Sequence, residues 1–537
     1  MFKKLIRLFT TIIHLRSKQI FYLLINRARY AFDNSNKLNI PTETDIKGFP
    51  LFLLPGLKAQ TSIGNDWLTL LNLSVKTESI RNLWNDESRG KLWSYHLNYM
   101  DFLLQPGMDV SRGTELIHNY INELPTNHIG EKPYPASLRG INWIKFLSYN
   151  QLKDPKIDQV LYSHYKLISR FPEYHLMGNH LLENGFSLLF GAFYFKDGKL
   201  LKKACQILLT ELEEQILADG AHFELSTMYH LIILERLLDV VNLLQNNNRF
   251  PEQEKLLNFF VAKARKMLIW LKDITFSCGE TPLLNDSAYG FAHSAIELES
   301  YAIMLNVAEN NYARTSPIRL SSSGYRKFCK GHYECIVDAG QVGPCYQSGH
   351  AHADTFSFVL YVNDLPVIID QGVSTYAAGE DRLFERGTSA HNTVTVNYLN
   401  SSDVWDSFRM GRHAKVKILF EDENSVKAEH YGYRFNGTVH QREFQFSDHT
   451  FFIEDQLKGK LKKGIAHFWF SPRMLPVITD HTIELNLIKI TFENTSGISL
   501  KKSMIPDGFN QKQETWKVEV TFSGQLRTRF FINSEST

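Results

Sequence analysis

Between residues 314 and 325 (RTSPIRLSSSGY) the spacing of apolar residues along this chain changes period. Before that point, from about Asp66 to Asn310, they recur every three or four positions. Leu201, Ala204, Cys205, Leu208, Leu212 and Ile216 form one stripe, and Leu231, Leu234, Leu238 and Val241 another, as amphipathic helices require. Asp197-Gly198, Asp219-Gly220 and the Asn246–Asn248 run punctuate them. Beyond it come short alternating segments such as HYECIVDAG, TFSFVLYV, AKVKILFED and KVEVTFSG, separated by Gly, Asn and Asp, the pattern of antiparallel sheets stacked as a sandwich. The expected fold is α+β and multidomain. A basic helical extension covers 1–65, a helical domain 66–315 and an antiparallel β-sandwich 316–537. A chain of 537 residues exceeds one ordinary core, and so long a run of helix hairpins must close or stack to bury its stripes.

A net charge of +2 gives no global case for nucleic acid, although a local basic cleft for an anionic substrate is compatible with it. The five cysteines (Cys205, Cys278, Cys329, Cys335, Cys345) are scattered and contain no C-x-x-C pair, which fits reduced thiols in a cytoplasmic protein better than a disulfide framework. The opening MFKKLIRLFTTIIHLRSKQIFYLLINRARY is basic and apolar, but Arg7, Arg16, Lys18 and Arg27 leave uncharged runs of only eight residues. A signal peptide also needs a small-residue cleavage site, and a membrane span about 20 apolar residues. The expectation is a cytoplasmic protein whose first helix packs against its own body, with peripheral membrane contact as the alternative.

The stretch Gly349–Asn392 carries the densest chemistry. It opens GHAHADTFSF, passes through VIID ending at Asp370, and closes with ERGTSAHNTV. On an extended strand His350 and His352 share a face. A strand-borne His-x-His, an aspartate and a later His391 make a metal site of the kind zinc takes with three protein ligands; Asp354 lies in the same run. The alternative is a set of separate, hydrogen-bonded strand histidines.

Three clusters in the helical half also look chemical. Tyr95, His96 and Asn98, with Arg139 and Trp143, offer rings for sugar faces and donors for hydroxyls and carboxylates, but helix-packing aromatics account for them as well. In Gly178-Asn-His-Leu-Leu-Glu-Asn-Gly185, Asn179, His180, Glu183 and Asn184 stand within one and a half turns, and such groups are costly to bury without a partner. In Asp219-Gly-Ala-His-Phe-Glu-Leu-Ser-Thr-Met-Tyr229, Ser226 or Thr227 caps the next helix. That places Tyr229 in the first turn, where the dipole favours a phenolate and a lowered pKa.

GHAHAD, a hydrophobic strand ending in Asp, and RGTSAHNTV together resemble the heparinase II/III-like polysaccharide lyases. The resemblance covers roughly residues 90–400 and implies an incomplete (α/α) toroid followed by the sandwich. It implies that Asn179 with His180 and Glu183 neutralises a uronate carboxylate, and that Tyr229 and His350 exchange protons with the sugar. His352, Asp370 and His391 would hold a zinc that organises the second domain, and Tyr376 sits where some members place a further substrate tyrosine. Abstracting a uronate C5 proton needs a neutralised carboxylate and a positioned base. Two outcomes then compete: expulsion of the O4 substituent, or reprotonation from the opposite face. Without an export signal, a glucuronyl C5-epimerase acting on a heparosan-like polymer is the first expectation and a β-eliminating lyase the second. A silent carbohydrate-binding protein predicts a degraded motif set, and zinc hydrolysis lacks an H-E-x-x-H. The expected partner is an anionic uronate polysaccharide, with a homodimer left open.

Overall fold

The computed structural model describes residues 2–32, 46–251, 253–308, 316–460 and 462–533. The expected domain break at 315/316 falls at the edge of 309–315, which lies outside the described residues. Helices α1 (Phe2–Ile12) and α2 (Ser17–Phe32) come first, then a small hairpin, β1 (Trp67–Leu70) with β2 (Leu73–Lys76). The helical part follows: α3 (Lys91–Tyr99), α4 (Val110–Glu123), α5 (Pro133–Tyr149), α6 (Pro155–Arg170), α7 (Gly178–Phe195), α8 (Gly198–Gln215), α9 (Thr227–Asn246), α10 (Gln253–Ile274) and α11 (Ala295–Met304).

These helices pack in two tiers. α3, α5, α7 and α9 neighbour one another in turn, while α4, α6 and α8 flank them. The tier explains the sequence pattern: α5, α7 and α9 are buried almost all round, with their polar side chains paired inside, whereas α6 and α8 keep a polar outer face. Asp154, Asp197 and Ser226 cap α6, α8 and α9, each accepting backbone N–H bonds.

The second part is two facing antiparallel sheets. One has the order β3 (Ile318–Leu320), β4 (Tyr325–Lys330), β5 (Tyr333–Asp338), β6 (Phe358–Val362), β7 (Leu365–Ile368). A short helix, α12 (Glu380–Glu385), and β8 (Val394–Val396) lead on to a small pair, β9 (Val404–Asp406) and β10 (Arg409–Met410). The larger sheet contains β11 (Val416–Glu421), β12 (Ser425–His430), β13 (Thr438–Phe446), β14 (Thr450–Gly459), β15 (Lys463–Trp469), β16 (Val477–Thr479), β17 (Thr482–Glu484), β18 (Ile488–Pro506) and β19 (Lys512–Ile532), with β8 on its β15 edge. The sheets meet through stacked rings, Phe328 on Phe446 at 4.0 Å among them.

β6 shows what joins the two parts. Phe358, Leu360 and Val362 enter the core between the sheets, while Val359 and Tyr361 pack with Trp270, Ile274 and Phe276 of the helical part. A strand buried on both faces reads as a continuous apolar run, as TFSFVLYV does. The five-stranded sheet is thereby clamped to the helices, and the loops that follow β5 and β7 lie against the starts of α7 and α9.

Candidate active site

A cleft of about 1270 Å³ opens where the two parts meet. Asn179, His180 and Tyr229 line it from the helices; His350, Tyr376 and Phe408 line it from the second part. The tip of the β18–β19 hairpin adds Phe509, whose ring packs on Phe291 and Tyr376. Arg27, Arg89, Lys91 and Arg409 bring positive charge to its wall, against Asp101, Glu173 and Glu235.

Tyr229 and His350 pack with ring centroids 4.1 Å apart and planes tilted by 40°. Ser226 caps α9 and accepts from the Tyr229 N–H at 3.2 Å, so the tyrosine does stand in the first turn. Its pKa moves opposite to the expectation: burial first, then the neighbouring Tyr376 hydroxyl, push it well above the usual phenol value. Removal from water outweighs the helix dipole here. The two hydroxyls lie 3.2 Å apart.

The turn Asn285-Asp286-Ser287 stitches the site together, and no motif in the sequence announced it. Asn285 donates to the Leu225 carbonyl and accepts from the His352 N–H, at 3.0 and 2.8 Å. Ser287 accepts from the Met228 N–H at 3.2 Å. Asp286 receives His350 Nδ1 and His352 Nε2, both at 2.8 Å, and the guanidinium of Arg382 on α12, with Nη2 at 2.7 Å. Burial opposes the Asp286 charge, but Arg382 and the imidazoles override it and hold the carboxyl well below its usual range. An ionised Asp286 fixes the proton of His350 on Nδ1 and leaves a lone pair on Nε2. That nitrogen lies 3.5 Å from Asn179 Nδ2 and 3.8 Å from Glu224.

Asn179 opens α7 after Gly178, whose φ of 56° suits glycine. A Cβ there would come within 2.5 Å of Glu224 Oε1, so the glycine lets the helix start close on that carboxylate. Glu224 accepts from the Asn179 N–H at 3.0 Å and from its amide at 3.2 and 3.1 Å. Glu183 does not join Asn179 at the cleft. It is buried against Arg236 of α9, 3.3 Å away, and burial raises its carboxyl to about 6. His180 does face the cleft, packed on Tyr134 at 4.2 Å and 3.4 Å from Glu173.

Of the aromatic cluster, Tyr95 and His96 line the cleft, and burial lowers the His96 imidazole to about 4. Asn98, Arg139, Trp143 and Asn184 are corrections, because each is spent on packing. Asn98 donates to the Trp84 and Ser94 carbonyls; Arg139 donates to the carbonyls of Asn98 and Gly130; Trp143 donates to the Met100 sulfur; Asn184 bonds Glu173 and Ser137.

His352, Asp370 and His391 are buried together, the two imidazoles 5.2 Å apart. His391 Nδ1 lies 2.9 Å from Asp370. His352 Nδ1 and His391 Nε2 are buried with no hydrogen-bond partner. Each ring is thus held by a carboxylate at one nitrogen and bare at the other, which is how metal-ligating histidines are oriented. Among the described residues no group of three or more His, Cys, Asp or Glu is already arranged around an ion position.

Comparison with known proteins accounts for both parts. Residues 138–310 match the family model "Heparinase II/III N-terminus" and residues 313–532 match "Heparinase II/III-like, C-terminal". A heparin-sulfate lyase of Bacteroides stercoris is 25% identical over 372 residues, covering 64% of this chain and 52% of the relative. A heparin-sulfate lyase of Pedobacter heparinus is 22% identical over 384 residues, covering 66% and 55%. This chain therefore spans about half the length of the curated relatives it matches. A crystal structure of heparinase III shares its fold at a TM-score of 0.66 and 16% identity, over 89% of this chain and 88% of the other. A mutant heparan sulfate lyase from Pedobacter heparinus does so at 0.60 and 16%, over 96% and 88%. With successive family models matching its helical and its sheet part, the chain belongs to the heparinase II/III-like family.

Proposed function

We propose that this chain is a polysaccharide lyase that cleaves a uronate-containing, heparan-type polymer by β-elimination. The observation that carries the reading is the pairing of Tyr229 with His350 at 4.1 Å, beside the Asn179 amide in one cleft. Asn179, whose amide donates to Glu224 in the free protein, would turn an N–H to the uronate carboxylate, so that charge can spread as C5–H breaks. His350 Nε2 takes the C5 proton, the C5–H electrons form the C4=C5 bond, and the O4 substituent leaves with a proton from Tyr229. Burial keeps that phenol protonated at rest, which suits it to giving rather than taking the first proton.

The epimerase ordering is reversed. It rested on where a polymer-degrading enzyme is expected to work, whereas the curated relatives are lyases. In finer detail the reading includes closure of the two helix tiers as an incomplete toroid. It also includes a zinc ion that His352 Nδ1 and His391 Nε2 would hold, with Asp370 fixing the His391 ring through Nδ1 rather than joining as the expected ligand. Bound there, the metal supplies a crosslink that stiffens the loop carrying His350. Incubation with heparosan and with heparan sulfate in deuterated buffer tests the function. Shortened chains with a new ultraviolet-absorbing double bond support elimination; deuterated iduronate in chains of unchanged length overturns it in favour of epimerisation.

A further inference from the structure

Helices α1 and α2 lie against both parts of the molecule beside the cleft; Tyr22 of α2 packs on Tyr174 at 4.6 Å, yet much of the apolar surface of both helices is left uncovered. The polar side of α1 faces the protein. Arg7 pairs with Asp403 at 2.8 Å, and Thr11 donates to the Met410 carbonyl at 3.2 Å and accepts from Trp405 Nε1 at 3.1 Å. Arg16 pairs with Glu214 and Gln19 donates to the Tyr346 carbonyl; Asn26 bonds His175 at 3.2 Å. Much of what remains outward is apolar. Leu5, Phe9 and Ile13 on α1 and its exit are 55%, 67% and 59% exposed, and Phe21 and Leu24 on α2 are 56% and 60% exposed. They follow three- and four-residue spacing along each helix, a continuous stripe rather than scattered surface residues.

The charge around this stripe says what covers it. Residues 1–32 carry Lys or Arg at positions 3, 4, 7, 16, 18, 27 and 29, and no Asp or Glu. Lys18, its ammonium over the Tyr174 ring at 4.2 Å, and Arg27, at the cleft rim, stand one turn before and one turn after the Phe21–Leu24 stripe on α2. Long exposed cationic side chains there can swing to headgroups while the rings insert. Arg7 and Arg16 are already paired with Asp403 and Glu214; for the other cations a second copy of the chain would set like charges against each other, whereas an anionic bilayer would neutralise them. No helix among the described residues is long and apolar enough to cross a membrane. We propose that α1 and α2 form an interfacial docking surface for an anionic lipid bilayer. Leu8, Ile12, Leu15 and Leu23 from the same helices line the cleft, so docking sets the cleft beside the membrane plane and favours polymer held at that surface.

Flotation of the full chain with phosphatidylglycerol–phosphatidylcholine vesicles and with pure phosphatidylcholine vesicles tests this. Binding is expected to the anionic vesicles and to weaken with salt. A Phe9→Glu, Phe21→Glu, Leu24→Glu variant should lose it by at least about tenfold, since each deleted side chain removes buried apolar area. The same variant should keep its thermal unfolding transition, because all three side chains are exposed in the free protein. A wild-type chain that floats with neither vesicle overturns the proposal. So does a variant that floats as well as wild type, or a wild-type dimer that the variant converts to monomer without any vesicle binding.

Discussion

The imidazole of His350 and the carboxylate of Asp286 meet at 2.8 Å, although 64 residues and a change of fold class separate them. Asp286 belongs to the helical part and His350 to the sheets, so this bond makes the geometry of the cleft depend on how the parts dock. Asp286 also holds His352 and Arg382. Asp286→Asn is expected to lower kcat by about 10²–10⁴-fold with little change in KM, because the amide no longer fixes the proton on Nδ1. It should also cost stability, about 3–5 kcal/mol, through the buried Arg382 left without its counter-charge. Steady-state kinetics with chemical unfolding of the same sample checks both; an unchanged kcat removes Asp286 from the mechanism.

Tyr229→Phe removes one hydroxyl, which meets the Tyr376 hydroxyl at 3.2 Å. Stability should change by no more than about 1 kcal/mol, while turnover falls about 10²–10⁴-fold as the proton donor disappears. Retained turnover in a folded variant would exclude the phenol as the donor to O4.

Tyr229, His350 and Asn179 were legible because each stands in a run whose polar residues interrupt an apolar pattern. Ser226 as a cap was legible for the same local reason. Asp286 was not, since NDSAYG carries no period and its partners come from 350, 352 and 382. Glu183 was misplaced because helical spacing tells which residues share a face but not which way the face turns; Arg236 on another helix decides that. The tip residue Phe509 lies in a long hairpin with no motif, and only the fold carries it to the cleft. For α1 the sequence showed amphipathicity, but the side that packs on the protein is the polar one.

Arg139 illustrates the other kind of misreading, a buried cation mistaken for a substrate ligand. Its buried guanidinium donates to the carbonyls of Asn98 and Gly130. Arg139→Met is expected to lower stability by about 3 kcal/mol and to leave KM unchanged. A selective rise in KM with unaltered unfolding would return Arg139 to the substrate site.

The bare nitrogens of His352 and His391 give the metal reading a direct test. Protein purified without chelators should carry zinc, measurable by atomic spectroscopy, and its removal should lower the unfolding temperature of the sheet part. His352→Ala should reduce bound metal at least about tenfold. A fully metallated His352→Ala protein would exclude this residue as a ligand.

A second ion pair at the cleft wall sets a pH dependence that is independent of the chemistry. His293 Nδ1 lies 2.9 Å from Glu235, and its Nε2 3.0 Å from the Lys58 carbonyl. Burial alone would lower the imidazole, but the bond to Glu235 overrides it and raises the group from 6.5 to about 9. The folded state therefore holds this proton more tightly than the unfolded chain does. Its contribution to stability is complete below about pH 6.5 and is lost as pH rises through about 9. Wild-type protein is expected to lose unfolding free energy across that window, and His293→Gln, which is less stable at pH 6, to lose less. Denaturant unfolding at half-unit steps from pH 6 to pH 10 gives the comparison; parallel profiles for the two proteins would show that the pair carries no linked proton.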